Sequence, residues 1–177
     1  MPFSFRHLPI EGLVLVEPRI FVDERGSFLE SYKESEFRAN GIDVRFVQDN
    51  HSISRYGVLR GLHFQFAPHE QGKLVRVIEG SVWDVAVDLR KGSKSYLKWF
   101  GLELSAQNSL LFYIPPGFAH GFMTLSDSAQ LQYKCTAEYD KASEKGIRWD
   151  DPRIGISWPI KEVLVSKRDS ALPYWGE

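Results

Sequence analysis

The sequence predicts an all-β protein, an antiparallel sandwich or jelly roll with short peripheral helices, and three observations carry that expectation. Glycine and proline punctuate nearly the whole chain. The segments between them are short and rich in Val, Leu, Phe, Tyr and Trp, residues that suit a pleated, half-buried surface. Ahead of the tail only Glu34 to Asn40 reads as a helix, with a thin apolar side and a stop at Asn40-Gly41 through a left-handed residue.

Gly12 and Pro18 bracket a first strand, Leu13 to Glu17, and Asp23-Glu24-Arg25-Gly26 is a turn leading into Ser27 to Tyr32. From Val44 onward the pattern is almost entirely β. Lys73 to Ile78, the turn Glu79-Gly80-Ser81 and Val82 to Leu89 read as a hairpin. In its second arm Trp83, Val85, Val87 and Leu89 alternate with Val82, Asp84, Ala86 and Asp88, which gives one apolar and one mixed face. After the loop 90–95 come Tyr96 to Leu104, a turn from Ser105 to Asn108, and Leu110 to Ile114. Pro115-Pro116-Gly117 ends that strand because proline cannot donate to the ladder. Phe118 to Leu125 and Ala129 to Thr136 read as another pair around Ser126-Asp127-Ser128. The tail from Tyr139 is an irregular wrap with small helical turns, in which Trp149, Trp158 and Trp175 serve packing.

At 177 residues the chain reads as one domain, 1–177, large enough for a core without staples. Its formal charge of -1, from 22 Lys+Arg against 23 Asp+Glu, provides no broad field for nucleic acid or an anionic membrane. Anion binding therefore falls to a local cluster. Cys135, the single cysteine, forms no internal disulfide and no zinc motif. The apolar run Leu13 to Val16 is too short for a signal core or a membrane span. A soluble, cytoplasmic protein is expected.

The chemistry concentrates in Gly57-Val58-Leu59-Arg60-Gly61-Leu62-His63-Phe64-Gln65, followed by Lys73. Arg60, Gln65 and Lys73 lie among Val58, Leu59, Leu62, Phe64 and Leu74, where polar groups need a partner or a ligand such as an anionic substrate. From these residues alone a second reading stands beside it, with Arg60 and Lys73 as solvated strand charges and His63 as a hydrogen-bonded core residue. Pro115-Pro116-Gly117-Phe118-Ala119-His120 resembles the second cupin motif, whose histidine often binds a metal. The first cupin motif expects a second histidine where Gln65 stands, and His69-Glu70 are wrongly spaced for it. Only His63 and His120 remain, short of the three or four donors that zinc or iron requires, so no metal is expected. His7 and His69 read as exposed loop residues, and His51 as support for its strand.

With the Arg60-to-Gln65 and Pro116-to-Phe122 blocks, three more agree with one family: Phe46-Val47-Gln48-Asp49-Asn50-His51-Ser52, Gly146-Ile147-Arg148-Trp149-Asp150-Asp151-Pro152, and Ser166-Lys167-Arg168-Asp169 before Leu172-Pro173. Across its whole length the chain resembles the dTDP-4-dehydrorhamnose 3,5-epimerases. The resemblance implies a cupin-type jelly roll without metal or cofactor, a homodimer, and a dTDP-linked 4-keto-6-deoxyhexose substrate inverted at C3 and C5. It assigns His63 as base, Asp169 as the carboxylate that orients it, Tyr133 as acid, and Lys73 as the charge facing the C4 oxygen. It places Arg25, Glu30, Gln48, Asn50, Arg60 and His120 against the substrate, Tyr139 on the thymine, and Glu144 on the nucleotide side. Where the family commonly has lysine this chain has Arg168, with Lys167 displaced by one and, by strand alternation, on the other face.

Overall fold

The computed structural model describes residues 2–176. Strands β1 (Phe3–His7) and β2 (Val14–Pro18) lead to a hairpin, β3 (Ile20–Asp23) and β4 (Gly26–Leu29), and to helix α1 (Glu34–Ala39). The middle of the chain is β5 (Gln48–Arg55), β6 (Val58–Gln65), β7 (Lys73–Glu79), β8 (Ser81–Asp88) and β9 (Trp99–Ser105). Then follow β10 (Leu111–Ile114), β11 (Phe118–Thr124), β12 (Ser128–Cys135), β13 (Glu144–Gly146), β14 (Leu164–Val165) and α2 (Lys167–Ser170).

Two sheets face each other, one ordered β1-β2-β10-β7-β12-β5 and the other β13-β6-β11-β8-β9, with β14 added in parallel to β6. This is the expected antiparallel jelly-roll sandwich. Neither expected hairpin of its middle exists, however. β7 pairs with β10 and β12, while β8 pairs with β11 and β9, so the turn at Gly80 carries the chain from one sheet to the other. β11 and β12 are likewise split between the sheets. Two β runs around a glycine turn look the same locally whether they pair or part; the partners that claim their backbone groups decide.

Three apolar clusters hold the layers. Between the sheets lie Val75, Val77, Val82, Ala86, Leu104, Phe112, Phe122 and Leu131. Outside the first sheet, α1 and its flanks pack Phe37 and Ile42 on Val14, Val16, Leu111 and Tyr113. Gly41, at φ +86, ends that helix as expected. Outside the second sheet the tail packs Ile147, Ile154, Trp158 and Trp175 on Leu62, Val85 and Val87. The apolar face of β8 therefore meets the tail, and its mixed face, with Asp84, looks into the sandwich.

The cleft opens where the interior stops being apolar. The inward positions of β5 are Gln48, Asn50, Ser52 and Ser54, which stand opposite Cys135, Tyr133, Leu131 and Ala129 of β12. Such a row cannot close a core, so the sandwich stays open at that end.

Candidate active site

Strand β6 is the spine of the site, and one irregularity aims it. His63 pairs with His120 and Arg60 with Phe122, so Gly61 and Leu62 stand against Gly121 alone. This bulge resets the alternation and turns Arg60 and His63, three positions apart, toward the same cleft. Two glycines allow the close approach: a Cβ on Gly61, at φ +130, would meet the Gly121 Cα at 2.6 Å.

The free edge of β6 is covered in two pieces, β13 against His63–Gln65 and β14 against Val58–Leu59. Asp169 fills the gap. Its Oδ2 accepts the Gly61 N–H at 3.3 Å and its Oδ1 lies 2.8 Å from His63 Nε2. A carboxylate only accepts, so Nε2 donates and Nδ1 is left as the basic nitrogen. Ser166 caps α2 by accepting the Asp169 N–H at 3.0 Å, which fixes the turn that delivers this side chain. Burial works against the Asp169 carboxylate, but His63, the Gly61 N–H and Arg168 outweigh it and hold its pKa below the ordinary 3.8.

Lys73 is buried and faces this pair from the opposite sheet, with Nζ 5.7 Å from the centroid of the Tyr133 ring. Burial pulls its pKa down against the pull of Cys135, Asp84 and Glu144. Burial, aided by Cys135 and Glu144 and opposed by Arg60, pushes the Tyr133 phenol up to about 12, so its proton stays on until a base forms beside it. Arg60 is braced by Nε donating to Ser54 Oγ at 3.0 Å and Nη2 to the Ile53 carbonyl at 3.3 Å.

At the mouth, Arg168 forms an ion pair with Glu144, which also accepts the Tyr139 hydroxyl at 2.8 Å. Gln48 accepts the Tyr139 N–H at 2.8 Å and donates to Asn50 at 3.0 Å. All of these groups line one cleft of about 860 Å³.

The cleft gathers His63, Lys73, Tyr133, Asp169, Gln48, Asn50, Arg60, His120, Tyr139, Glu144 and Arg168. Arg25 and Glu30 are not among its walls, because among the described residues β3 and β4 pair only with each other and Arg25 stands exposed, bonded to Asp23. Lys167 and Arg168 lie on a helical turn rather than a strand, and α2 is part of the site rather than peripheral. Gln65 is not waiting for a ligand: its amide is used by the carbonyls of His69 and Glu138 and by the Asp140 N–H. It does not fit the metal role of the cupin motif, and among the described residues no group of three or more His, Cys, Asp or Glu gathers for an ion. His69 is exposed in a loop, His7 closes β1, and His51 bonds Gln130 of β12. Asp84, fully buried behind the cleft wall, is a partner of His120 that sequence reasoning passed over. Both its oxygens lie 3.0 Å from His120 Nε2, and an acid on the mixed face of β8, between Val82 and Ala86, was the signal for it.

A histidine hydrogen-bonded to a carboxylate, a tyrosine and a buried lysine around one jelly-roll cleft make up a set of groups suited to the acid–base chemistry of an isomerase. The family model for dTDP-4-dehydrorhamnose 3,5-epimerase matches residues 7–177, and the chain belongs to that family. It is 51% identical over 170 residues to the dTDP-4-dehydrorhamnose 3,5-epimerase of Methanothermobacter thermautotrophicus, covering 94% of this chain and 91% of that one. The crystal structure of the dTDP-6-deoxy-D-glucose-3,5-epimerase of Legionella pneumophila with dTDP-4-keto-L-rhamnose superposes with a TM-score of 0.94. The two are 46% identical, over 97% of this chain and 92% of that one. A 3'-monoepimerase from Streptomyces bikiniensis, in complex with dTDP-quinovose, is 36% identical with a TM-score of 0.89, over 94% and 85% of the chains.

Proposed function

We propose that this chain is a cytoplasmic, single-domain epimerase that converts dTDP-4-dehydro-6-deoxy-D-glucose to dTDP-4-dehydro-L-rhamnose. The observation that carries this reading is the opposition of His63 and Tyr133 across one cleft, with Lys73 on the strand next to that of Tyr133. C3 and C5 both flank the C4 ketone, so loss of either proton leaves an enolate. His63 Nδ1, the ring nitrogen not committed to Asp169, takes the proton. Asp169 stabilises the imidazolium that forms. The Lys73 ammonium faces the charge developing on O4, and burial strengthens that attraction. Tyr133 returns a proton to the opposite face and is recharged from solvent, which inverts the carbon. Arg60 suits the diphosphate, and Tyr139 offers a ring for the thymine.

A homodimer completes this reading. The β3–β4 hairpin exposes Phe21 at 45%, Val22 at 77% and Phe28 at 65% and carries Arg25 beside them, with Glu30 just beyond. A second copy that receives this arm over its own cleft gains Arg25 and Glu30 as substrate contacts and buries the apolar face.

Proton NMR of the 4-keto sugar nucleotide in deuterated water tests the reaction. Loss of both the C3 and C5 proton signals, with product accepted by a rhamnose-forming reductase, is expected. Exchange at one carbon alone would make this a monoepimerase, and no exchange despite dTDP binding would reduce it to a binding module.

A further inference from the structure

His63 and His120 face each other across β6 and β11, and each turns Nε2 toward an aspartate. The mechanism above uses the first pair and leaves the second without a task. Asp84 is fully buried, and among the described residues its side chain bonds nothing but His120. His120 is 5% exposed, and its Nδ1 has no protein partner among the described residues, while the ring forms part of the cleft wall.

We propose that Asp84 is a positioning residue that fixes the His120 proton on Nε2, so that Nδ1 meets the cleft as a bare acceptor and reads a hydroxyl of the sugar. This role for Asp84 rests on the epimerase reading and goes beyond it. Nε2 lies 3.0 Å from both carboxylate oxygens, which can only accept, so the ring proton belongs on Nε2. Burial lowers the His120 pKa below 6.5, Asp84 opposes that, and Lys73 and His63 reinforce it, which keeps the ring neutral at pH 7. A neutral ring with Nε2–H has a lone pair at Nδ1. That atom repels phosphate and carbonyl oxygens, which are acceptors themselves, and complements only a donor. A 4-keto-6-deoxyhexose linked through C1 has two such donors on its ring, the C2 and C3 hydroxyls. His120 therefore belongs with the sugar and not with the diphosphate. A site built to pair one hydroxyl penalises its absence, because the buried acceptor is then left unmet.

Two measurements on the unaltered enzyme test this, and one variant sharpens it. Long-range proton–nitrogen NMR of the 15N-labelled protein should give His120 the signature of a protonated Nε2 and a bare Nδ1. Turnover is then compared for the parent sugar and its 2-deoxy and 3-deoxy analogues, with C5 proton exchange as the common readout. One analogue should lose about 10- to 100-fold in kcat/KM and the other far less. In Asp84→Asn, whose amide lets the imidazole proton move to Nδ1, that discrimination should shrink to within about threefold. A bare Nε2 or an imidazolium at His120 would overturn the proposal, as would equal kcat/KM for all three sugars or unchanged discrimination in the variant. Should the enzyme fail to exchange the parent sugar at all, the epimerase reading falls separately. Calorimetric binding of dTDP-glucose against its 2-deoxy and 3-deoxy forms then puts the hydroxyl to the same test.

Discussion

The two histidine–aspartate pairs of the cleft are made of the same side chains and differ in where the carboxylate comes from and how much water reaches the ring. Asp84 and His120 are neighbours on adjacent strands of one sheet, with side chains 0% and 6% exposed. Asp169 comes from a helical turn 106 residues beyond His63, whose side chain keeps 31% of its exposure. A base must release its proton in every cycle, and the wetter ring has a route to do so. Burial of the dry ring lowers its pKa and so favours the neutral form. Burial, more than residue type, sets the two pairs apart.

The largest way to break this contrast is to remove the carrier. His63→Ala should lower exchange at both C3 and C5 by about 10³-fold or more while dTDP still binds, read by NMR and calorimetry. Asp169→Asn leaves the ring in place without its charge partner, and kcat should fall by about 10²-fold. The same variant bears on stability. The Asp169 pKa is lower folded than its ordinary 3.8, so its contribution is full above that value and fades as pH falls through the folded one. Urea titrations from pH 6 downward should therefore show a shallower acid loss in Asp169→Asn.

Gly61→Ala attacks the bulge that aims His63. Positive φ and the backbone of Gly121 and His120 leave no room for a Cβ, and a loss of about 3 kcal/mol is expected by urea denaturation. Gly26→Ala, at φ +124 with nothing within 4 Å of its Cβ, should cost about 1 kcal/mol.

The alkaline side of the pH profile sharpens the role of Lys73. Its ammonium is lost as pH rises through a value below 10.5, so kcat should decline there by up to about tenfold per pH unit, whereas the Tyr133 phenol, at about 12, cannot be the source. Lys73→Arg should move that decline upward, since a guanidinium keeps its charge. The smallest effect expected is that of Arg168→Lys, within about threefold in kcat/KM, because an ammonium can still pair with Glu144 at the exposed mouth.

Strand positions were legible because period-two alternation and glycine or proline stops are local signals, and the helix at Glu34 ended where Gly41 said it would. Sheet membership was not, as the turn at Gly80 illustrates: which strand pairs with which depends on residues far away in sequence. The cleft followed the same division. Arg60 and Lys73 stood out as polar groups among apolar neighbours, whereas Asp169 by itself is an acid in a basic tail, and only the resemblance brought it to His63. Arg60 and His63 share a face through a bulge that strict alternation denies, and Gly61 was its one local trace. Asp84 was visible in the alternation of β8 but went unread, since an acid on a mixed face is ordinarily solvated.

The gap in the edge of β6 that Asp169 fills also sets an order in time. Chains are made from the N-terminus, so His63, Lys73, His120 and Tyr133 all exist before Asp169 is polymerised. A growing chain on the ribosome can bring both sheets together and already hold its histidine, yet that histidine lacks the carboxylate which orients it. The two sheets can thus be laid down first, and the edge of β6 is completed afterwards by a side chain that reaches back across 106 residues.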